Sequence, residues 1–400
     1  MLLAATAGAS CRDLAQAPNP PPIVVESAFR TFLLDHEFNV DYGAGFARPT
    51  VLFEGPSSIS VVYGDFDQGT VKYAGCASSC GDTTSWHLGV VDSSGYDPTT
   101  VLTTTGLHTI YSRAVNTTLK LEYTYCPGGC MVSRHWSRVP IDTASYPVSA
   151  ALASDPSGGL HAVYGDFLGY RVRYAECPGD CLSPGSWGTI DLVQIRTPLA
   201  TITGEKNAAI AVDAAGATHV AYSLPVEGLL RYAVCTTACT NSGSWISTDI
   251  DFAATIGTVA MTLDSAGAVN VVYIAGPSLD GRWSLRLARC SSGCDHATAW
   301  NKSTVSTDAA YQRQQDVAIT AGPAGTLHLA FLLAPDSASF YESRDIAYAT
   351  CRTACADSTH WQRLLLGLSR AQAVAVAVDP GGRPSLSAVS WGSFWFSARK

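Results

Sequence analysis

The sequence predicts an all-β fold, a seven-bladed β-propeller of four-stranded blades closed by pairing of its N- and C-terminal segments. Three observations predict it. Twelve of the 13 cysteines fall into six pairs with three residues between partners. A tryptophan follows the second cysteine of every pair at the sixth position. The rest of each unit is built from short apolar runs separated by turn residues, mostly Asp-x-x-Gly, which reads as strands and hairpins.

The pairs are Cys76/Cys80, Cys126/Cys130, Cys177/Cys181, Cys235/Cys239, Cys290/Cys294 and Cys351/Cys355, and the tryptophans are Trp86, Trp136, Trp187, Trp245, Trp300 and Trp361. Three residues before the first cysteine stands Tyr73, Tyr123, Tyr174, Tyr232 or Tyr348, with Leu287 as the exception. The copies recur every 50 to 61 residues. A period of that size marks stacked supersecondary units.

Each unit reads as four strands. The first is an alternating apolar run, as in 208–213, 259–264 and 373–379, ending in a turn such as Asp155-Pro156-Ser157-Gly158, with the Asp, Pro and Gly placement of a type I turn. The second reads His161-Ala162-Val163-Tyr164 or Asn270-Val271-Val272-Tyr273, the third Val71-Lys72-Tyr73-Ala74, and the tryptophan opens the fourth. Four antiparallel strands per unit are a propeller blade, whose radial repetition leaves few exposed edges. Innermost strands rich in Ala, Val and Thr suit the crowding near the axis.

After the last cysteine pair the chain supplies only three strands, 373–379, 383–391 and 392–400. The missing fourth is assigned to the apolar run Pro22-Ile23-Val24-Val25-Glu26, which leaves 28–46 as an insertion before the first blade. The domain reading is therefore a signal remnant or tether over 1–19 and a single propeller over 20–400.

The segment Ala211-Val212-Asp213-Ala214-Ala215-Gly216-Ala217-Thr218-His219-Val220-Ala221-Tyr222, with Arg231-Tyr232-Ala233 and Trp245 downstream, resembles a family of bacterial secreted propellers built from V-D-x-x-G-x-x-H-V-x-Y…L-x-Y-A…W repeats. The resemblance covers nearly the whole chain and implies a blade rather than an activity. The cysteine pairs depart from the plain repeat. Propellers of this general kind include glycan-binding lectins and surface adhesins, an analogy of fold.

Composition narrows the classes. The chain is 47% hydrophobic and 14% charged, with a net charge of −8. No Lys/Arg cluster is present to neutralise a phosphate backbone, so nucleic acid is not an expected partner. No apolar run approaches the roughly 18 to 20 residues of a transmembrane helix. The start, Met1 to Cys11, is apolar and then small, like the tail of a secretory signal without its basic region. Cys11 is accordingly a lipidation candidate, followed by a tether with four prolines between Arg12 and Pro22, although Gly8 stands where lipoprotein signals usually carry leucine.

Three small or turn-forming residues let the paired thiols meet in disulfide geometry. Two cysteines alone cannot fill a tetrahedral zinc site, and no histidine recurs beside them. Twelve structural disulfide cysteines need an oxidising compartment, so the expected location is extracellular or cell-surface. No metal and no cofactor is expected. The six repeat tryptophans are read as inter-blade packing rather than sugar platforms. His108, His161, His219 and His328, all at the start of second strands, are read as a repeated structural hydrogen bond.

Ligand-binding candidates are the non-repeat residues of face loops. Tyr-Gly-Asp-Phe occurs twice, giving Asp65, Phe66, Asp166 and Phe167; Asp65 and Asp67 could also hold calcium, but the EF-hand order is absent. Trp283, Tyr341 and Trp391 complete the set, the long loops 275–283 and 334–343 being where specificity is expected. Catalytic motifs are lacking: no S-x-D-x-G-x-x-W box of sialidase propellers, no G-x-S-x-G elbow and no phosphate-binding glycine loop. The preferred reading is a secreted or surface-displayed module binding a glycan or partner protein, whose mark would be non-repeat aromatics and carboxylates clustered on one face. An extracellular hydrolase would instead bring unlike carboxylates or histidines together at the central channel, and an envelope spacer would show featureless loops. Oligomeric state is left open.

Overall fold

The computed structural model describes residues 24–25, 29–35, 48–65, 68–116, 118–143, 146–195, 206–276, 283–309, 316–333, 345–368, 371–390 and 393–399. Cys11, the 1–19 segment, Phe66, Tyr341 and Trp391 lie outside them.

Seven blades of four antiparallel strands form the ring. From inner to outer strand, blade one is Thr50–Phe53, Ile59–Asp65, Thr70–Cys76 and His87–Asp92, and blade two is Gly95–Thr103, Gly106–Val115, Thr118–Cys126 and Ser137–Asp142. Blade three is Pro147–Ser154, Leu160–Asp166, Arg171–Cys177 and Gly188–Gln194, and blade four is Ala208–Val212, Thr218–Leu224, Leu229–Cys235 and Ile246–Phe252. Blade five is Thr255–Leu263, Val269–Gly276, Trp283–Cys290 and Asn301–Ala309, and blade six is Val317–Ala321, Leu327–Leu333, Asp345–Cys351 and Gln362–Leu365. Each inner strand contacts the next around the axis, and Ala371–Val378 of blade seven meets Thr50–Phe53 of blade one to close the circle.

Blade seven has three strands from the C-terminal segment, Ala371–Val378, Pro384–Ser390 and Ser393–Arg399, and an outer strand from the N-terminal one. That outer strand is Phe29–Asp35, paired from Phe29 with Arg399 to Asp35 with Phe394, and this corrects the assignment of 22–26. Val24–Val25 instead runs parallel to Leu364 and Leu365 outside blade six. The physical reason is alternation: Phe32 and Leu34 turn inward onto Trp86 and Phe396 while Leu33 faces out, and a two-residue strand cannot cover a seven-residue edge. Part of the expected insertion is thus the closing strand.

Second strands are buried from end to end, as in Leu160–Asp166 and Thr218–Leu224, because neighbouring blades cover both faces. The hairpin leading into them is drawn tight by its first aspartate: Gly158 N–H donates to the Asp155 carbonyl, and Ser157 and Gly159 N–H to Asp155 Oδ1. Asp213 and Asp264 repeat this. The molecule therefore has a face carrying these turns and the disulfides, and an opposite face where second strands end and inner strands begin.

Candidate functional site

The repeated residues form scaffold. All six cysteine pairs are disulfide-bonded: Cys76–Cys80, Cys126–Cys130, Cys177–Cys181, Cys235–Cys239, Cys290–Cys294 and Cys351–Cys355. The second member of each pair does more than cross-link. Its backbone carbonyl also accepts the indole N–H of the repeat tryptophan, Cys80 from Trp86 at 3.0 Å, Cys294 from Trp300 at 2.9 Å and Cys355 from Trp361 at 3.1 Å. Cys130, Cys181 and Cys239 accept likewise from Trp136, Trp187 and Trp245, at 2.8, 3.2 and 2.8 Å. The Cys355 carbonyl takes a further hydrogen bond from Ser303 Oγ of blade five at 3.3 Å, so this pair fastens one blade to the one before it. Cys80 and Cys355 are buried, whereas Cys294 is partly exposed.

The ring of each of four repeat tryptophans lies against the repeat tyrosine of the preceding blade: Trp136 on Tyr73, Trp187 on Tyr123, Trp245 on Tyr174 and Trp300 on Tyr232. The tyrosine hydroxyl shares a hydrogen bond with the histidine, 2.7 Å for His108–Tyr123, 2.6 Å for His161–Tyr174 and 2.5 Å for both His219–Tyr232 and His328–Tyr348. Both structural readings, of tryptophan and of histidine, therefore hold.

Blade five shows how tightly the parts depend on one another. Leu287 replaces the tyrosine, Asn270 replaces the histidine, and Arg289 takes over, donating to Asn270 Oδ1 at 2.7 Å and pairing with Asp264 at 2.6 Å.

A second recurring device escaped the sequence reading. The sixth residue after the tryptophan is Asp92, Asp142 or Asp251, and each accepts from the second-strand tyrosine of the next blade: Tyr111 at 2.6 Å, Tyr164 at 2.7 Å and Tyr273 at 2.6 Å. Arg113 and Arg138 hold Asp92, Arg173 holds Asp142, and Arg286 and Lys302 hold Asp251. At the closure Asp35 plays the same part with Tyr63 and Lys72 at 3.0 Å each. Burial works to raise the Asp251 carboxyl, but the Tyr273 hydroxyl, Lys302 and Arg286 outweigh it and leave it below the usual range.

At the axis the pattern is different. On the face where inner strands begin, each blade places a buried polar residue at the strand entry: Arg48, Asp97, Ser149, Asn207, Thr258, Asp316 and Gln372. Asp97, Ser149, Thr258 and Gln372 fall within β-bulges. Arg48 bridges two carboxylates, Nη1 to Asp97 at 3.1 Å and Nε to Asp316 at 3.8 Å. Ser149 N–H donates to Asp97 Oδ2 and Val374 N–H to Asp316 Oδ2. Burial raises the Asp97 carboxyl against the pull of Arg48. Arg48, Asp97, Asp316 and Lys206 line a cavity of about 220 Å³ whose walls come from all seven inner strands.

Of the predicted ligand residues, Asp65 and Asp166 are buried. Asp166 accepts from Tyr146 and Gly169 N–H and pairs with Arg171, and Asp65 accepts from Gln68 N–H and pairs with Lys72. Both carboxylates shape their loops. Phe167 is partly exposed, its ring 5.7 Å from that of Tyr146. Trp283 opens the third strand of blade five, packed against the blade five/six core. What the sequence missed is the company Phe167 keeps on this face. On blades three and four, Leu168 is 68% exposed, Tyr170 39%, Val226 60% and Phe252 70%. The opposite face carries an inter-blade groove of about 790 Å³ between blades two and three, with Thr103, Thr105, Tyr125, Asp155 and Leu182 among its walls. Among the described residues no three His, Cys, Asp or Glu side chains group as a metal site, and no helix is long and apolar enough to cross a membrane.

No protein-family model matches the sequence, and no curated protein matches it. Solved structures do resemble it. Hydrazine synthase from Kuenenia stuttgartiensis superposes with a TM-score of 0.57 at 10% identity, covering 92% of this chain and 99% of that one. Below it in similarity, both at a TM-score of 0.48, are an Aleuria aurantia lectin in complex with Fucalpha1-6GlcNAc, at 13% identity over 81% of this chain and 95% of that one, and the NanB sialidase of Streptococcus pneumoniae, at 8% identity over 86% and 83%. At such identities the likeness concerns architecture alone. The class is that of a disulfide-pinned seven-bladed β-propeller.

Proposed function

We propose that this protein is an extracellular or surface-displayed binding module whose ligand, a glycan or a partner protein, meets the face where second strands end. The observation that carries the reading is the group of exposed Leu168, Tyr170, Val226 and Phe252 with the partly exposed Tyr146 and Phe167 on adjacent blades, interspersed with Arg171, Asp191, Arg231 and Asp249. None of these loop residues is required by the repeat, and large apolar side chains grouped on a surface mark interaction sites. Aromatic faces beside paired carboxylates and guanidinium groups also suit sugar rings, which offer C–H faces and hydroxyls. Tyr341 and Trp391, outside the described residues, are proposed as further ligand contacts. Six disulfides support the oxidising compartment. Lipid attachment at Cys11 belongs to the same proposal.

The hydrolase reading has one observation in its favour, since Asp97 and Asp316 do meet at the channel. Arg48 stands between them and backbone N–H groups occupy them, which suits binding better than proton transfer.

The test is a glycan array with the full, oxidised chain and a parallel glycosidase assay. Saturable binding that Phe252→Ala and Leu168→Ser abolish, with no turnover, supports the reading. Binding lost only in Tyr125→Ala would move the site to the groove on the disulfide face. Turnover would promote the hydrolase, and silence in both assays would sink the glycan ligand.

A further inference from the structure

At most scaffold positions of the blade this chain repeats itself: cysteine, tryptophan, tyrosine, histidine. At the entry of the inner strands it does not. Arg48, Asp97, Ser149, Asn207, Thr258, Asp316 and Gln372 are all polar and buried, and aspartate alone occurs twice. Three of them, Arg48, Asp97 and Asp316, line the axial cavity together with Lys206, and unlike donors and acceptors there are what reading an asymmetric ligand requires.

Within the ring the charges divide unevenly. The Arg48 guanidinium is taken up by Asp97 and Asp316. Lys206 lines the same cavity, yet among the described residues no carboxylate lies within ion-pair reach of its ammonium. Burial, followed by the nearby Arg48, lowers its proton affinity. Lys206 is half-buried, and an ammonium, with three donors and no acceptor, gains from an anion placed beside it there. Asp97 and Ser149 hold left-handed backbone at φ 51° and 55°, the kind of strain that persists at ligand sites.

We propose that the channel mouth binds a small carboxylate that also carries a hydroxyl or ammonium donor, its carboxylate on Lys206 and its donor on Asp97 or Asp316. Two cations and two carboxylates leave the empty cluster neutral, so a monoanion or a zwitterion is accommodated where a dianion is repelled. The cavity of about 220 Å³ equals roughly seven water volumes at about 30 Å³ each, which admits an α-hydroxy or α-amino acid. The apolar walls of Ala209, Ile210, Met261 and Val376 would take a short aliphatic side chain. This site is independent of the glycan reading and on separate residues.

The experiment is titration calorimetry of the full chain at neutral pH with lactate, glycine and alanine, against acetate, which lacks the donor, and methylamine, which lacks the carboxylate. The expected result is binding of the hydroxy or amino acids, weaker binding of acetate and none of methylamine. Lys206→Met is expected to weaken binding about ten- to hundredfold. Its Tm should be kept, because the half-buried Lys206 ammonium forms no ion pair with a described carboxylate that the substitution would remove, so misfolding is not the expected cause of the loss. Asp316→Asn should erase the advantage over acetate. Failure of all three acids to bind, or unchanged affinity in Lys206→Met, would overturn the proposal.

Discussion

The ring of Trp245 stands edge-on to that of Tyr174, centroids 4.9 Å apart, across the boundary between blades three and four. The indole N–H meanwhile returns to the Cys239 carbonyl at 2.8 Å. One side chain thus couples the disulfide of its own blade to the hydrogen-bonded histidine of the previous one. Trp245→Ala should lose less than the about 3 to 5 kcal/mol of emptying a fully buried aromatic site, because Trp245 is partly exposed. Trp245→Phe keeps most of the contact but strands the Cys239 carbonyl, at a cost of about 1 to 3 kcal/mol. Urea unfolding of the oxidised proteins separates the two, and equal losses would contradict a role for the N–H.

Blade five offers a test of dependence between positions. Trp361, wholly buried, packs in one cluster with Leu287 where other blades present tyrosine. Leu287→Tyr alone adds bulk and a hydroxyl whose natural partner position, Asn270, is already engaged by Arg289. It should destabilise by about 1 to 3 kcal/mol. Adding Asn270→His supplies the missing partner and should recover about 1 kcal/mol or more of that loss. Strict additivity in the double-mutant cycle would show the two positions to be independent.

The architecture was legible because scaffold positions are read out several times over. Six copies of Cys-x3-Cys-x5-Trp reveal a period even where any one copy is ambiguous, and disulfide, tryptophan and histidine roles followed from that period. The carbonyl duty of Cys80, Cys294 and Cys355 was not legible, since a backbone acceptor leaves no mark on residue type. The closing strand was misplaced because Phe29–Asp35 occurs once, with no cysteine or tryptophan to index it. The inter-blade aspartates were legible in principle, six residues after Trp86, Trp136 and Trp245, but Val193, Ser306 and Gly367 interrupt the series. The axial ring was invisible for the opposite reason. Its residues do not repeat, Arg48 and Lys206 adjoin segments without periodicity, and only the ring geometry brings Asp97 within reach of a residue 49 positions earlier.

Asp251 gathers Tyr273, Arg286 and Lys302 from blade five onto the outer strand of blade four. Asp251→Asn should cost about 1 to 3 kcal/mol, chiefly through the buried tyrosine, since both cations are partly hydrated. Tyr273→Phe should cost about 1 kcal/mol. Because the folded carboxyl is held below its ordinary range, its stabilising contribution is present above the unfolded value and lost as pH falls through the folded one. Chemical denaturation at pH 7 and pH 3 should therefore find the gap between parent and Asp251→Asn narrowing at the lower pH.

Acid sensitivity should begin earlier than these carboxylates dictate. Burial pushes His108 down to about 4, and burial with Arg399 and Arg352 does the same to His328. Unfolded histidine titrates near 6.5, so between about pH 6.5 and 4 the unfolded chain binds more protons than the folded one. Stability therefore falls as pH drops across that window, by a few kcal/mol in all, and these two groups add nothing further below it. The neutral ring matters for the pairing as well: once both nitrogens carry protons, the Tyr123 hydroxyl can only accept from His108, and must redirect its own proton inside the core. His108→Gln keeps a hydrogen-bonding partner for Tyr123 without a titrating group. Thermal unfolding at pH 7, 5.5 and 4.5 should show a flatter decline in His108→Gln than in the parent; an equally steep decline would remove His108 from the acid response.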